Sequence, residues 1–380
     1  MFENEHAFFP LVPLAIRAVK QAVFDWLLPA NSVGQDLSFV LAGITISNLS
    51  FVGAAVLLYR LSCKVFDDEP FAYLAGVCYC FLPASIFMSA VYTESTFALI
   101  SFGAMLLVVK RRYWYAAVAT GVSTLCRANG IFYIGFFVWD LLIAGRPWSR
   151  SSGCRTVTTV ASIACLALVA SSGYIGFQYY GYRSFCLAAG SRAPDRPSWC
   201  ESSIPLLYGY VQDRYWNVGF LRYFTLMQLP NFGLALPMLL LSVFGICEYA
   251  GHDLARFFSL GTASSPLQDG NADGSGSSDN RDHSCYFKSS ALPFIYLWAV
   301  LLALSFFVMH VQVITRLFSS VPPVYWYAAH VLTRPTAKLP ASSLWKRLVL
   351  SIHPSRWVLN YFILYSAVGA TLFSAFYPPA

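Results

Sequence analysis

The sequence has 380 residues, of which 57% are hydrophobic and 11% are charged, and its formal net charge is +7. The mean hydropathy of +0.56 and the long apolar runs are typical of a chain that crosses a lipid bilayer, and they exclude an ordinary soluble core. The basic residues lie at the ends of apolar segments rather than on one face, which favours membrane orientation over binding to nucleic acid.

The first predicted element is an amphipathic helix over residues 7–28, in which charged side chains interrupt apolar ones. We expect it to lie in the luminal membrane interface rather than to cross the bilayer. Apolar runs follow to the end of the chain, and Pro83 and Gly130 are expected to break them into hairpins of short or kinked helices. The predicted fold is an all-α, multispanning helix bundle that forms a single integral membrane domain over residues 1–380. About ten membrane segments are predicted, at residues 37–59, 71–90, 95–109, 114–127, 129–144, 157–181, 231–249, 291–310, 321–333 and 356–376.

Two long polar segments lie between these runs. Residues 182–230 contain Cys186 and Cys200, for which a disulfide and two free thiols are both open. Residues 259–285 are rich in Ser, Gly, Asp and Asn and are predicted to form a flexible loop, because they cannot bury enough apolar surface to become ordered. When the loops alternate across the membrane, most Lys and Arg fall on the side of residues 259–285. The positive-inside rule therefore predicts that this loop is cytosolic and that the 182–230 loop is luminal.

Tyr92-Thr-Glu-Ser95 is the first of several polar motifs at the predicted luminal ends of apolar runs. Ionisable groups at membrane depth are costly unless they face a partner, a cavity or an interface. Glu94 is therefore predicted to position a cation or a sugar hydroxyl. The alternative is a polar turn in which Thr93 or Ser95 caps the next helix.

Arg127-Ala-Asn-Gly130 places an arginine, an amide and a helix-breaking glycine at the next luminal boundary. A guanidinium group offers a fixed fork of donors for a phosphate, and the Asn129 amide suits a sugar. The alternative is an arginine that snorkels to the interface beside a turn.

His310-Val-Gln-Val-Ile-Thr-Arg316 clusters three polar side chains within seven residues. Gln312 and Arg316 are four residues apart and share a face if the helix continues, whereas His310 lies on another face. We predict that Arg316 faces a lipid-linked phosphate. An interfacial anchor with a structural histidine is the alternative.

Two further motifs supply amides and a carboxylate to the same predicted face. Gln228 and Asn231 flank the start of an apolar run, where Pro230 also suits an ordinary helix start. Asp213 and Asn217 lie among Tyr and Trp side chains, a composition that suits a carbohydrate but also an interfacial aromatic belt.

The order and spacing of these motifs carry a family resemblance. The blocks are Ala7-Phe-Phe-Pro10, Leu82-Pro-Ala-Ser-Ile-Phe87, Tyr92-Thr-Glu-Ser95, Arg127-Ala-Asn-Gly130, Gln212-Asp-Arg-Tyr-Trp-Asn-Val-Gly-Phe220, Gln228-Leu-Pro-Asn231 and His310-Val-Gln-Val-Ile-Thr-Arg316. Together they resemble the PIG-V type of mannosyltransferase, which adds the second mannose of GPI anchors. The resemblance implies a GT-C fold in the endoplasmic reticulum membrane. It also implies α-1,6 transfer of mannose from dolichyl phosphate mannose to the mannosylated GPI precursor in the lumen.

The resemblance also implies roles for individual residues. Arg316 and Arg127 are expected to bind the donor phosphate, while the amides and the other polar side chains orient the sugars. No cofactor or metal is expected, but membrane lipids and a membrane partner subunit are possible partners. The expected sugar and acceptor residues are Glu94, Asn129, Asp213, Asn217, Gln228, Asn231, His310 and Gln312.

The catalytic base is unknown from this sequence. The family carries, before the block that matches Ala7-Phe-Phe-Pro10, a first transmembrane helix and a segment with the catalytic aspartate. The sequence lacks that region, and Glu3 and Glu5 do not match the aspartate. Little activity is therefore expected of the chain as written. A transporter or a non-catalytic assembly subunit is the competing interpretation, but no internal repeat is found and the polar motifs gather at one face, which favours an enzyme.

Overall fold

The computed structural model describes residues 3–28, 31–144, 153–187, 197–262, 284–334 and 354–375. Within these ranges the secondary structure is helical and contains no strand. Short stretches of 3-10 or π-helix join or extend many of the α-helices. The longer α-helices are α1 (Leu11–Val19), α2 (Ser32–Phe66), α3 (Glu69–Cys80), α4 (Glu94–Val109), α5 (Tyr113–Thr124), α6 (Gly153–Tyr182), α7 (Leu207–Trp216), α8 (Leu229–His252), α9 (Leu292–Phe307), α10 (Pro322–Thr333) and α11 (Pro354–Ser374).

Among the described residues, five helical segments are long and apolar enough to cross a membrane, so the prediction of about ten crossing segments is not confirmed. Several apolar stretches form helices that are too short: the 12 residues of α3 extend roughly 18 Å, against a hydrocarbon core of about 30 Å. Two shorter apolar helices, at Glu94–Val109 and Ala128–Ile143, accompany the five. The five segments are Ser32–Phe66, Val157–Leu187, Leu226–His252, Ser289–Phe307 and Arg356–Ser374.

The breaks predicted at Pro83 and Gly130 are confirmed. The chain leaves α3 at Cys80, turns through Pro83 and begins a new helical turn at Ser85. Gly130 lies in a 3-10 helix, where an added Cβ would stand 2.6 Å from Ser123 Oγ and 3.1 Å from the backbone nitrogen of Thr124. The absence of a side chain at Gly130 therefore lets this turn pack directly against the end of α5.

Helix α10 lies at the centre of the bundle. Every residue from Pro322 to Val331 is buried, as expected for a helix that is apolar on all sides. The indole Nε1–H of Trp326 donates to Ser62 Oγ of α2 at 2.7 Å, so the buried polar atom of this large side chain is satisfied. One continuous hydrophobic cluster surrounds α10 and includes residues of α2, α3, α4, α8 and α9.

Small residues allow α5 and α6 to approach closely. A Cβ added at Gly173 of α6 would stand 2.3 Å from the carbonyl oxygen of Gly121 in α5. Close backbone contact through glycine is a common way for helices to associate in membranes, where hydrophobic exclusion from water does not drive them together. These two glycines hold the end of α5, and so the segment that leads to Arg127, against α6.

The N-terminal segment packs on the 182–230 segment. Residues 11–27 are helical, as predicted for the 7–28 helix. Cys186 and Cys200 form a disulfide with Cα atoms 5.7 Å apart, which resolves the alternative left open by the sequence. The indole of Trp199 donates to Glu3 Oε1 at 2.8 Å, linking the disulfide region to the N-terminal 3-10 helix. Most of the loop predicted at 259–285, namely residues 263–283, lies outside the described residues.

Candidate functional site

A buried carboxylate joins two arginines from distant parts of the chain. Glu94 Oε1 lies 2.8 Å from Arg127 Nη1, and it accepts from Arg316 Nε at 2.7 Å and from Arg316 Nη2 at 2.7 Å. The Glu94 side chain has no exposed surface, whereas those of Arg127 and Arg316 remain 23% and 27% exposed. We call these three residues the Glu94 cluster.

The position of Glu94 at the start of a helix suits a carboxylate. Glu94 occupies the first turn of α4, where a negative charge interacts favourably with the helix dipole. The alternative interpretation of this motif, in which Thr93 or Ser95 caps the helix, is wrong: Thr93 makes no side-chain cap, and Ser95 Oγ is buried without a hydrogen-bond partner. Thr93 Oγ1 instead accepts from Arg127 Nη1 at 3.4 Å.

Aromatic rings hold the Arg316 guanidinium in place. Its central carbon lies 4.4 Å from the ring centroid of Phe87 and 5.0 Å from that of Tyr92. Arg127 lies 5.8 Å from the ring centroid of Phe97 in a similar arrangement. Cation–π contacts of this kind are strongest where water is excluded. Neither arginine therefore simply extends to the interface, because both turn onto Glu94.

The Glu94 cluster carries one uncompensated positive charge. Two guanidinium groups share a single carboxylate, and part of each arginine side chain stays accessible. Such an arrangement is suited to an anion with one negative charge, because guanidinium donors form short, strong bonds with phosphate oxygens. The Glu94 carboxylate holds the protein's own arginines, and its predicted role toward a sugar or an acceptor stays a prediction.

A network of amides surrounds Tyr223 beside the Glu94 cluster. Asn231 Nδ2 donates to Tyr223 Oη at 2.8 Å and to Gln228 Oε1 at 2.5 Å, and Tyr223 Oη donates to Gln312 Oε1 at 3.2 Å. The His310 ring stacks on Tyr223 with centroids 4.6 Å apart. We call these five residues the Tyr223 cluster, and it contains four of the residues predicted to orient sugars.

The two clusters adjoin through one short stretch of chain. Gln312 lies in a 3-10 helix, Val311–Val313, and Arg316 lies in the α-helical turn that follows, Ile314–Phe318. His310 Nε2 is 2.7 Å from the carbonyl oxygen of Trp216, so Nε2 carries the proton and donates. This bond ties the end of α7 to the same stretch. Burial raises the pKa of the Tyr223 phenol above its usual value, so Tyr223 keeps the proton that it donates to Gln312.

Three of the predicted sugar residues lie apart from both clusters in their observed contacts. Asp213 is exposed and pairs with Arg222 at the surface. Asn217 ends α7 in the left-handed conformation, with φ of 51°, which asparagine tolerates better than most residues. Asn129 is half-buried in the 3-10 helix Ala128–Tyr133, two residues after Arg127. Direct contacts place seven of the ten predicted residues in the two clusters, three in the Glu94 cluster and four in the Tyr223 cluster, and Asn129 lies two residues from Arg127 in the chain.

Neither Tyr223 nor Phe87 was predicted from the sequence to be a site residue. Both are aromatic residues in or beside the recognised blocks, but aromatic side chains are common throughout this chain. Only the folded contacts distinguish them: Tyr223 bridges two amides, and Phe87 supports Arg316. In the sequence, the signal that could have identified each residue was its position in or beside one of the family blocks.

A second polar cluster occupies the opposite end of the bundle. Glu248 accepts from Tyr327 Oη at 3.0 Å, lies 3.1 Å from His330 Nε2, and also pairs with Arg334. Ser284 Oγ lies 2.6 Å from His330 Nδ1. Since α8 is a continuous helix and rises 1.5 Å per residue, Glu248 stands roughly 25 Å from Asn231. This cluster ties α8 to α10 and takes no part in the arginine site.

Comparison with known proteins covers the whole chain. The family model described as Mannosyltransferase (PIG-V) matches residues 1–380. GPI alpha-1,6-mannosyltransferase 2 of Cricetulus griseus is 30% identical over 100% of this chain and 84% of its own length. GPI mannosyltransferase 2 of Drosophila melanogaster is 32% identical over 99% of this chain and 83% of its own length. The Yarrowia lipolytica protein of that name is 29% identical over 93% and 80%. No solved structure matches the chain.

Proposed function

The chain belongs to the PIG-V mannosyltransferase family and is a glycosyltransferase of GPI-anchor biosynthesis, and we propose that it transfers mannose from dolichyl phosphate mannose to the mannosylated GPI precursor. The linkage formed would be α-1,6, as the names of its relatives state for those proteins. The reaction would take place at the luminal face of the endoplasmic reticulum membrane, within a GT-C type helix bundle. The five apolar helices that are long enough to cross a bilayer support a multi-pass membrane protein.

The Glu94 cluster is the observation that carries this proposal. A sugar phosphodiester on a prenyl chain has one negative charge, and the cluster has one positive charge in excess, on two partly exposed guanidinium groups. The cluster forms at the start of the apolar helix α4, which supports a position near the membrane surface, where the head group of a lipid would meet the protein. Dolichyl phosphate mannose has this combination of an apolar chain and a singly charged phosphate.

The proposed reaction is direct displacement at the anomeric carbon. The acceptor hydroxyl oxygen forms a bond to that carbon, the bond from the carbon to the phosphate oxygen breaks, and prenyl phosphate leaves with the electron pair. The hydroxyl proton passes to a base. Arg127 and Arg316 stabilise the charge that develops on the phosphate, a contribution that is largest where water is excluded. Glu94 does not act as the base, since its carboxylate is fully buried and holds both arginines.

The Tyr223 cluster supplies the neutral donors and acceptors for the sugars. Its amides and phenol are already joined to one another, so their orientation is fixed before a substrate binds. Fixed donors and acceptors lose less conformational entropy on binding than free side chains do. We assign the mannosyl groups of donor and acceptor to the space between this network and the two arginines.

Complementation tests the proposed function. This chain, and a form extended upstream of Met1, would be expressed in cells that lack the second GPI mannosyltransferase. Rescue of GPI-anchored proteins at the cell surface by at least one form is expected, and the Arg127→Ala, Arg316→Ala double variant of that form should not rescue. Failure of both forms at normal protein levels, or equal rescue by the double variant, would contradict the proposal.

A further inference from the structure

An apolar groove runs along the outside of the bundle between the Ala128–Ile143 segment and α9. Its volume is about 370 Å³. One wall includes Phe132, Gly135 and Trp139, and the other includes Tyr296, Leu297 and Val300. Gly135 leaves open space in its wall, since an added Cβ would meet no atom within 4 Å. The shape and lining of the groove therefore suit a narrow apolar ligand.

The groove begins next to the arginine site. Ile131 lines it, only four residues after Arg127, which corresponds to roughly 8 Å in a 3-10 helix. A row of packed rings also connects the two places. Phe97, which lies under the Arg127 guanidinium, stacks on Tyr133, and Tyr133 packs against Phe136 of the groove.

The groove continues toward the opposite face of the bundle. A second cavity of about 360 Å³ shares Phe136, Trp139 and Pro293 with it and extends to Asp140 and Arg111. Along the other wall the lining reaches from Val300 down to Ser289, a rise of roughly 17 Å. The length of the groove is thus about half the thickness of the hydrocarbon core of a bilayer.

We propose that this groove binds the isoprenoid chain of the prenyl phosphate mannose donor, an inference that rests on the proposed function. In such a donor the apolar chain is attached directly to the phosphate. When Arg127 and Arg316 hold the phosphate, the attached chain must therefore extend from the cluster close to the start of the groove, which lies roughly 8 Å from Arg127. The chain of the GPI precursor is a poorer fit, because several sugar units separate its lipid from the hydroxyl that reacts.

Gly135 gives a sharp test. Gly135→Leu places a side chain in the groove, and its Cβ would meet no atom within 4 Å. Gly176→Leu is the matched control: Gly176 is also in a helix, also exposed and also free of atoms within 4 Å of an added Cβ, but it lies on α6, away from the groove. Both variants would be made in the form that rescues deficient cells.

The assay compares two donors that differ only in the chain, dolichyl phosphate mannose and the ten-carbon citronellyl phosphate mannose. For Gly135→Leu we expect the KM of the long donor to rise roughly tenfold, the effect of displacing about one buried apolar group, with little change for the short donor. Gly176→Leu should match the wild type with both. Equal KM values for Gly135→Leu and Gly176→Leu would overturn the groove assignment, as would a rise in KM for the GPI precursor alone. Absence of transfer by the wild-type protein with either donor would instead refute the proposed function.

Photolabelling of the wild-type protein provides a second measurement that does not depend on the folding of a variant. A prenyl phosphate with a diazirine on its third isoprene unit, beyond the length of the ten-carbon chain, would be cross-linked in membranes and the labelled peptides identified. Labelling of residues 131–139 or 293–300, prevented by excess dolichyl phosphate, is expected. Labelling confined to other helices would overturn the proposal.

Discussion

Arg316→Lys tests whether the arginine site depends on guanidinium geometry or only on positive charge. Arg316 directs two N–H groups at Glu94 Oε1 and lies over the rings of Phe87 and Tyr92. A lysine keeps the charge but offers a single ammonium, which cannot grip Glu94 and at the same time present a second donor edge to a phosphate.

The expected loss follows from one charge-assisted hydrogen bond to the donor phosphate. Such a bond contributes about 1.5–3 kcal/mol, so kcat/KM for the donor should fall roughly 10- to 150-fold. The assay is transfer of labelled mannose in membranes from rescued cells, with initial rates measured over a range of donor concentrations. The amount of folded protein would be checked by gel filtration of a fluorescent fusion.

Arg222→Lys is the matched control. Arg222 also belongs to the predicted luminal face, but it pairs with Asp213 at the surface, where the two side chains are 48% and 59% exposed. Exposed pairs contribute little to stability, so kcat/KM should stay within about twofold of the wild-type value, which corresponds to less than 0.5 kcal/mol. If Arg316→Lys reduced kcat/KM no more than Arg222→Lys does, the assignment of Arg316 to a phosphate by its geometry would be refuted.

Three further predictions concern the supports of the site. Glu94→Gln removes the buried charge that holds both arginines, so the free energy of unfolding in detergent should fall by about 3 kcal/mol; an unchanged denaturation midpoint would show that the carboxylate is not needed. Tyr223→Phe removes the hydroxyl that joins two amides and should lower kcat/KM for the acceptor roughly fivefold, equivalent to about 1 kcal/mol. An unchanged kcat/KM would show that this network does not contact the acceptor. Gly173→Ala places a methyl group against the carbonyl oxygen of Gly121 and should destabilise the protein by about 1–3 kcal/mol. Gly176→Ala, whose added Cβ meets no atom within 4 Å, should not destabilise it. Equal thermal unfolding temperatures of the two variants would contradict this account of the α5–α6 contact.

The sequence was most informative about residues whose burial in a membrane needs an explanation. Glu94 and Arg316 stand 222 residues apart, yet each interrupts an apolar run at the same predicted face, and a charge in such a place needs a partner. Their proximity could therefore be predicted. Their direct pairing could not, because nothing in either motif shows whether the arginine faces a ligand or the carboxylate.

Helix length and the bridging role of Tyr223 lay beyond the sequence for different reasons. Pro83 predicts a break in the apolar run at residues 71–90, but the sequence does not show that the parts are a 12-residue helix and a single further turn. Tyr223 takes its role from contacts with Asn231 and Gln312, and the hydrogen bond to Gln312 spans 89 residues of sequence. Such contacts depend on tertiary packing rather than on local pattern.

Mannose transfer by the purified protein is the most direct test of the central claim, that two arginines held by Glu94 bind a prenyl phosphate donor for GPI mannosylation. Protein purified from rescued cells would be given labelled dolichyl phosphate mannose and the mannosylated GPI precursor, and the product linkage would be determined. We predict one added mannose in α-1,6 linkage and no detectable product from the Arg127→Ala, Arg316→Ala double variant at equal amounts of folded protein. Product formation by that variant at the wild-type rate would contradict the account.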